Sequence, residues 1–232
     1  MKLILILFIL LFVSSASADV WVDNFDNDIL NEKWIITKWR PFAVEEVSWS
    51  VEDGFLKGEW PNWNGQMLLL EEYPSLNYTI QVKVRIDRIV LAHQWNGAGI
   101  IFRSSGPGEE PKPNMSPFYV FAINIPIAGF ATSTTMAVIS GIPGRYNIDE
   151  WYTLKVVVRD DSFLGYVNNE DPCKLKDRFF KGKFVGLVVL CHTYASFDDF
   201  MISDSVDEAA FENFAVSYEG RLATAWGYIK QN

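Results

Sequence analysis

Reactive side chains are scarce in this sequence. Its 232 residues include only two cysteines, Cys173 and Cys191, and two histidines, His93 and His192. These four form no HExxH helix and no four-ligand Cys/His set, which excludes the common zinc sites. A GxSxG elbow and a P-loop are also missing, which removes the usual serine-hydrolase and nucleotide-binding readings. Positive charge is short as well: 20 Lys and Arg stand against 29 Asp and Glu, a formal net charge of −9. With no basic run, the chain is not built to meet nucleic acid or an anionic membrane surface. Long apolar runs are lacking too. The one at Leu3 to Val13 falls well short of the roughly 20 residues a membrane-spanning helix needs, so no integral membrane segment is expected.

What that short run does resemble is the core of an export signal. Lys2 precedes it, and SSASA follows, offering Ala16 and Ala18 as the small residues before a cleavage point. Residues 1–18 therefore read as a signal peptide, and the protein as secreted or extracytoplasmic. In that compartment an even pair of cysteines predicts a disulfide between Cys173 and Cys191. The loop closed would be slightly longer than the 15 residues for which chain entropy gives about 3 kcal/mol.

Periodicity of two runs through most of the remaining chain. In NYTIQVKVRID, Tyr78, Ile80, Val82, Val84 and Ile86 fall on one face, with Thr79, Gln81, Lys83, Arg85 and Asp87 on the other. WYTLKVVVRD repeats this with Tyr152, Leu154, Val156 and Val158 set against Thr153, Lys155 and Arg159. Further strand candidates are VEEVSWSVEDGFLKGEW with a turn at Asp53-Gly54, QMLLLEE, GAGIIFRS, FYVFAINI, TMAVISG, SFLGYVN and FVGLVVLCHTY. Short strands separated by Gly, Pro, Asn and Asp turns, with no long helical period, predict an all-β, two-sheet antiparallel sandwich. SSGPGEEPKPNMSP, residues 104–117, reads as an exposed loop because its prolines lack the donors a strand needs. Asn77-Tyr78-Thr79 and Asn114-Met115-Ser116 match the N-glycosylation triplet.

Near the C-terminus almost the same nine residues occur twice, as ASFDDFMIS from Ala195 and as AAFENFAVS from Ala209. The first follows directly on GLVVL and belongs in the sandwich, with Phe200 and Ile202 inward and Asp198 on their side. The second lies in a C-terminal extension, residues 204–232. It pairs as an edge strand, or the stretch around Leu222, Trp226 and Ile229 folds back over an edge or apolar patch, or the extension docks a protein partner.

In order along the chain, VDNFDNDILNEKW, DGFLKGEW, GAGIIFR, EWYTLKVVVRDDSFLGYVNN and GKFVGLVVLCHTYASFDDFMIS resemble concanavalin A-like lectin/glucanase jelly rolls. The resemblance spans residues 20–203, within a sandwich domain of residues 19–203. It is nearest to the laminin G-like and 3-keto-disaccharide hydrolase group. In many members a structural calcium ties the opening strand, first turn and closing strand together, and the matching positions are Asp23, Gly54 and Asp198. Asp198 serves equally well as a plain hydrogen-bond acceptor. The Glu-x-Asp-x-x-Glu strand of the glucanases is absent, which leaves no ready carboxyl pair for glycoside hydrolysis. For the 3-keto group the resemblance implies a base and an electrophile instead. His192 and Arg103 are the candidates for those roles, and a packed structural histidine is the competing reading.

The remaining signal is tryptophan, nine in all. Trp60, Trp63 and Trp95 sit in polar, turn-rich contexts, GEWPNWNGQ and AHQWNGAG, where indole faces stack on sugar rings and the flanking Asn62, Asn64, Gln66, Gln94 and Asn96 are placed to bond hydroxyls. The same WNG triplets make good tight turns, with each Trp capping the core. Carbohydrate is the partner these residues favour. Trp21, Trp34, Trp39, Trp49 and Trp151 are left to the core.

Overall fold

The structure, a computed structural model, describes residues 19–39, 48–63, 65–70, 73, 75–107, 117–124, 127–134 and 137–206. The signal-peptide stretch, Asn64, the second triplet at Asn114 and the extension beyond 206 lie outside the described residues. The strands are β1 (Val20–Asp23), β2 (Trp34–Lys38), β3 (Ser48–Glu52), β4 (Phe55–Trp60), β5 (Gly65–Leu70), β6 (Tyr78–Ile89), β7 (Gly97–Ser104) and β8 (Tyr119–Asn124). They continue as β9 (Ile127–Thr132), β10 (Ser140–Pro143), β11 (Trp151–Arg159), β12 (Ser162–Val167), β13 (Cys173–Lys176), β14 (Phe184–Leu190) and β15 (Thr193–Ser203). Sheet A runs β13-β12-β11-β6-β15-β4-β3, with β1 also on β15. Sheet B runs β10-β9-β8-β7-β14-β5-β2. Every pairing is antiparallel, as the sequence predicts.

Alternation explains the core. The inward faces of β6 and β11 bury Ile80, Val82, Val84, Leu154, Val156 and Val158 completely, against Leu68, Ile100, Phe102, Phe121 and Leu187 of sheet B. Sheet B is apolar on its other face as well. Met67 and Leu69, which alternate with Leu68 and Leu70, join Ile101, Val120 and Val188 in a second buried cluster. Such two-sided strands read in sequence as continuous apolar runs, which is how QMLLL and GLVVL look.

The Asp53-Gly54 turn forms as the sequence predicts, with φ of 56° and 76°. Both residues of a two-residue hairpin turn of this twist need positive φ, which Gly takes freely and Asp tolerates. Three strands, β2, β9 and β13, lie outside the strand candidates of the sequence, the last two because alanine, glycine and lysine dilute them. The outer face of sheet A is also drier than alternation suggests: Thr79 and Val157 are fully buried. There the Thr79 hydroxyl donates to the Ser205 carbonyl at 2.9 Å, and the Lys155 ammonium lies 4.5 Å over the Tyr166 ring.

The expected disulfide does not form. Cys173 lies on β13 at the edge of sheet A, whereas Cys191 follows β14 in the middle of sheet B. Packed sheets stand about 10 Å apart, beyond the ~7 Å Cα separation a disulfide can span. Burial pushes the Cys173 thiol up to about 11, so it is a packed, unreactive group.

The acidic stretch of ASFDDFMIS has a backbone role. Asp198 pairs with Lys83 and Met201 with Gln81, so β15 carries one extra residue there. This is a β-bulge, with Asp199 at φ 49°. It switches the inward set from Ala195 and Phe197 to Phe200 and Ile202, all fully buried. The bulge falls between the part of β15 paired with β4, ending at Phe197, and the part paired with β1, beginning at Phe200.

Candidate functional site

Three connections converge at one end of the sandwich: residues 61–63 after β4, residues 90–96 between β6 and β7, and the tight Cys191-His192 link from β14 to β15. The ladders bring them together, since Leu190 lies across from both Gly65 and Gly97, and Thr193 across from Trp60 and Ile89. His192 fastens all three. Its backbone N–H donates to the Asn62 carbonyl at 3.0 Å and its carbonyl accepts from Val90 N–H at 2.8 Å. Its Nδ1 bonds the Pro61 carbonyl at 2.5 Å. Its φ of 54° is what so short a reversal demands.

This fastening sets an aromatic ladder. Trp63 meets His192 edge to face at 5.0 Å between centroids and meets His93 the same way at 4.7 Å. His93 in turn meets Trp95 at 5.3 Å. His93 Nδ1 accepts the Trp95 backbone N–H at 3.3 Å, which fixes the ring. Trp63 remains 55% exposed, the most accessible tryptophan among the described residues. Beside the ladder is an open hollow of ≈ 980 Å³ lined by Ile89, His93, Gln94, Asn124 and Ile148. Past Trp95, on the outer face of sheet B, lies a narrower cleft of ≈ 390 Å³ with an apolar floor of Val120, Ala122, Ala131 and Leu190. Gln94, Asn96 and Asn124 border both. Asn124 Nδ2 donates to the Gln94 carbonyl at 2.5 Å, bracing the shared rim.

The residues singled out in the sequence divide sharply. Trp63 and Trp95 do lie together. Trp60 is fully buried in the core, where it presents no face to a ligand. Asn96 is 3% exposed, and its amide is spent inside the loop: Oδ1 accepts from His93 N–H, and Nδ2 donates to the Leu91 carbonyl at 3.1 Å and to the Cys191 carbonyl. Strand alternation hides these facts, because a residue at a strand end is inside or outside according to the loop that follows. Gln94, a flanking amide marked in the sequence, does line the hollow, whereas His93 and Ile148 join the site without such a mark, although His93 lies two residues before Trp95 and is one of only two histidines.

Arg103 stands at the other end of β7 from this site. Six residues along a strand cover about 20 Å, so it and His192 do not form a base and electrophile pair. Arg103 is 5% exposed, and its Nη2 donates to the carbonyls of Leu76 at 2.7 Å and Asp160 at 2.9 Å. Its work is to tie two connections to the sheet.

The positions matched to calcium, Asp23, Gly54 and Asp198, gather near the bulge in β15, but not as a ligand set. Asp23 Oδ1 accepts from Phe25 N–H at 3.1 Å and its Oδ2 from Trp34 Nε1 at 2.8 Å. Asp198 sits instead near Asp199 and Asp26. Burial first, then the Asp199 charge, pushes the Asp198 carboxyl up to about 6, against the opposing pull of Lys83. Lys83 Nζ pairs with Asp199 at 2.7 Å. Among the described residues no group of three or more His, Cys, Asp or Glu is arranged to hold a metal ion.

No family model and no curated protein matches the sequence. Solved structures do match the fold. The carbohydrate binding module CBM66 from Bacillus subtilis is 15% identical with a TM-score of 0.54, covering 74% of this chain and 95% of its own. A protein of unknown function with a galectin-like fold, also from Bacillus subtilis, is 10% identical with a TM-score of 0.59, covering 79% and 94%. The VIP36 exoplasmic/lumenal domain, solved with Ca2+ and Man3GlcNAc, is 9% identical with a TM-score of 0.53, covering 76% and 85%. At these identities the likeness is one of fold: this chain shares the galectin-like, jelly-roll sandwich of these proteins.

Proposed function

We propose that this domain binds carbohydrate at the end of the sandwich built by residues 61–63, 90–96 and 191–192. The observation that carries the reading is Trp63, a largely exposed indole held edge-on between two imidazoles. An indole fixed in this way offers a flat apolar face at little cost in side-chain entropy, which is what the C–H face of a pyranose needs. His93, which meets Trp63, also lines the open hollow, and that hollow adds the polar groups of Gln94 and Asn124 for sugar hydroxyls. Similarity of fold to CBM66 and to the glycan-bound VIP36 domain supports the same reading. The signal-like residues 1–18 support an extracytoplasmic setting, where polysaccharide is met.

Membership of the laminin G-like or 3-keto-disaccharide hydrolase group rests on the sequence resemblance alone. Calcium at Asp23, Gly54 and Asp198, the positions the resemblance matches, is a structural proposal supported by the Ca2+ of the VIP36 structure alone, since both Asp23 carboxylate oxygens already accept hydrogen bonds. A cation there would play no part in sugar contact.

A glycan array probed with the protein and with Trp63→Ala tests the central claim. Saturable binding that the substitution removes is the expected result. Binding unchanged by the substitution, or absent from every glycan, overturns the reading.

A further inference from the structure

We infer that the site takes a glycoside with a short apolar aglycone, the sugar lying in the open hollow and the aglycone in the apolar cleft on the outer face of sheet B. This rests on the carbohydrate reading and deepens it by naming the class of ligand.

The two hollows are continuous at their rim, since Gln94, Asn96 and Asn124 line both. They differ in what they offer. The cleft exists because Ala122 and Gly129, partners across β8 and β9, raise no more than a methyl above the sheet. Val120 and Ile127 flank that pair along the strands, one on each side. Beyond the rim the lining is glycine, aliphatic side chains and Trp95. The rim amides add little inside the cleft. Asn96 spends its Oδ1 on His93 N–H and its Nδ2 on the carbonyls of Leu91 and Cys191, and Asn124 spends its Nδ2 on the Gln94 carbonyl. A pyranose pushed in here would leave buried hydroxyls without partners, which is costly. An alkyl chain or an aromatic ring leaves nothing unpaired and takes apolar surface out of water on both sides. Val138, an apolar side chain that lines the cleft and is 44% exposed, is covered in the same step. The ladder sets the reach. His93 lines the hollow and its ring lies 5.3 Å from that of Trp95, which lines the cleft. A substituent one ring's width from the sugar, its aglycone, therefore falls on the cleft, while the hydroxyls stay in the open hollow with Gln94 and water.

The test is calorimetric titration with methyl and hexyl glycosides of the gluco, manno and galacto series, with hexan-1-ol alone as the control, on the parent and on Val138→Asp and Ala122→Leu. In at least one series the hexyl glycoside is expected to bind about tenfold or more tightly than the methyl glycoside, because its extra methylenes are buried. Val138→Asp sets a charge at the cleft, and Ala122→Leu fills it. Each is expected to remove most of that excess while methyl glycosides bind as before. Val138 is an exposed side chain, so its replacement keeps the fold even where a leucine at 122 overpacks, and melting curves of both variants check this. Equal affinity for methyl and hexyl glycosides, or an excess that folded Val138→Asp keeps, overturns this inference and leaves the carbohydrate reading standing. Binding by no glycoside, or by hexan-1-ol as tightly as by any hexyl glycoside, overturns the carbohydrate reading and this one with it.

Discussion

The imidazole of His192 stands edge-on to the indole of Trp63, with centroids 5.0 Å apart and planes at 78°. His192 is the buried, anchored member of the pair, and Trp63 the exposed one. Rigidity and access, the two needs of a recognition surface, are thus divided between neighbours.

Two tryptophans three residues apart are expected to respond in opposite ways. Trp60→Ala removes a fully buried core side chain and should cost about 3–5 kcal/mol of stability. Trp63→Ala should cost about 1 kcal/mol or less, yet weaken glycan binding at least ~10-fold. Denaturant unfolding and binding titrations on both variants check the contrast.

Arg103→Met should destabilise the domain by about 3 kcal/mol, because the carbonyls of Leu76 and Asp160 lose a charged donor inside the protein. Glycan affinity should not change, the residue being a strand length from the ladder. A lost affinity in folded Arg103→Met would return it to the binding site.

Reduction should leave the melting temperature unchanged, since no disulfide joins Cys173 and Cys191. Thiol titration is expected to find both cysteines in denaturant. Cys173 should be silent in the native protein, as its burial and raised pKa dictate.

Stability should respond to the titration of Asp198. Its folded pKa, about 6, lies above the ordinary carboxylate value, so between about 4 and 6 the folded state binds the proton more tightly. Stability from this group is therefore present at low pH and falls as pH rises through 6. Asp198→Asn should remove that slope and gain roughly 1 kcal/mol at neutral pH, discounted for the partial exposure of the site. Added Ca2+ should raise the melting temperature of the parent more than that of the variant. No shift with Ca2+ or EDTA in either would dispose of the structural cation.

Much of the sandwich is legible in the chain because a strand's two faces are set by alternation, which β6 carries throughout and β11 breaks only at Val157. The Asp53-Gly54 hairpin is equally local, as positive φ at two successive residues leaves few alternatives to such a pair. The bulge at Asp198-Asp199 is less open to reading. One inserted residue reverses the inward face, and nothing in ASFDDFMIS marks where the insertion falls until its partner Lys83 is in place. The same limit applies at the site. Trp60 and Trp63 look alike in GEWPNWNGQ, and only packing against the second sheet buries one and leaves the other out.

By itself, then, the sequence determined the all-β architecture, the turn at residues 53–54 and the placing of Trp63 and Trp95 in polar loops, because backbone sterics and hydrophobic period act over a few residues. Tertiary structure alone decided that both histidines meet Trp63, that Arg103 lies at the far end, that the cysteines stay apart and that the acids crowd at a bulge. Each of those facts depends on which strands become neighbours. Neighbours in an antiparallel sandwich are chosen by the burial of the whole core, over separations of a hundred residues or more, and no local pattern records that choice.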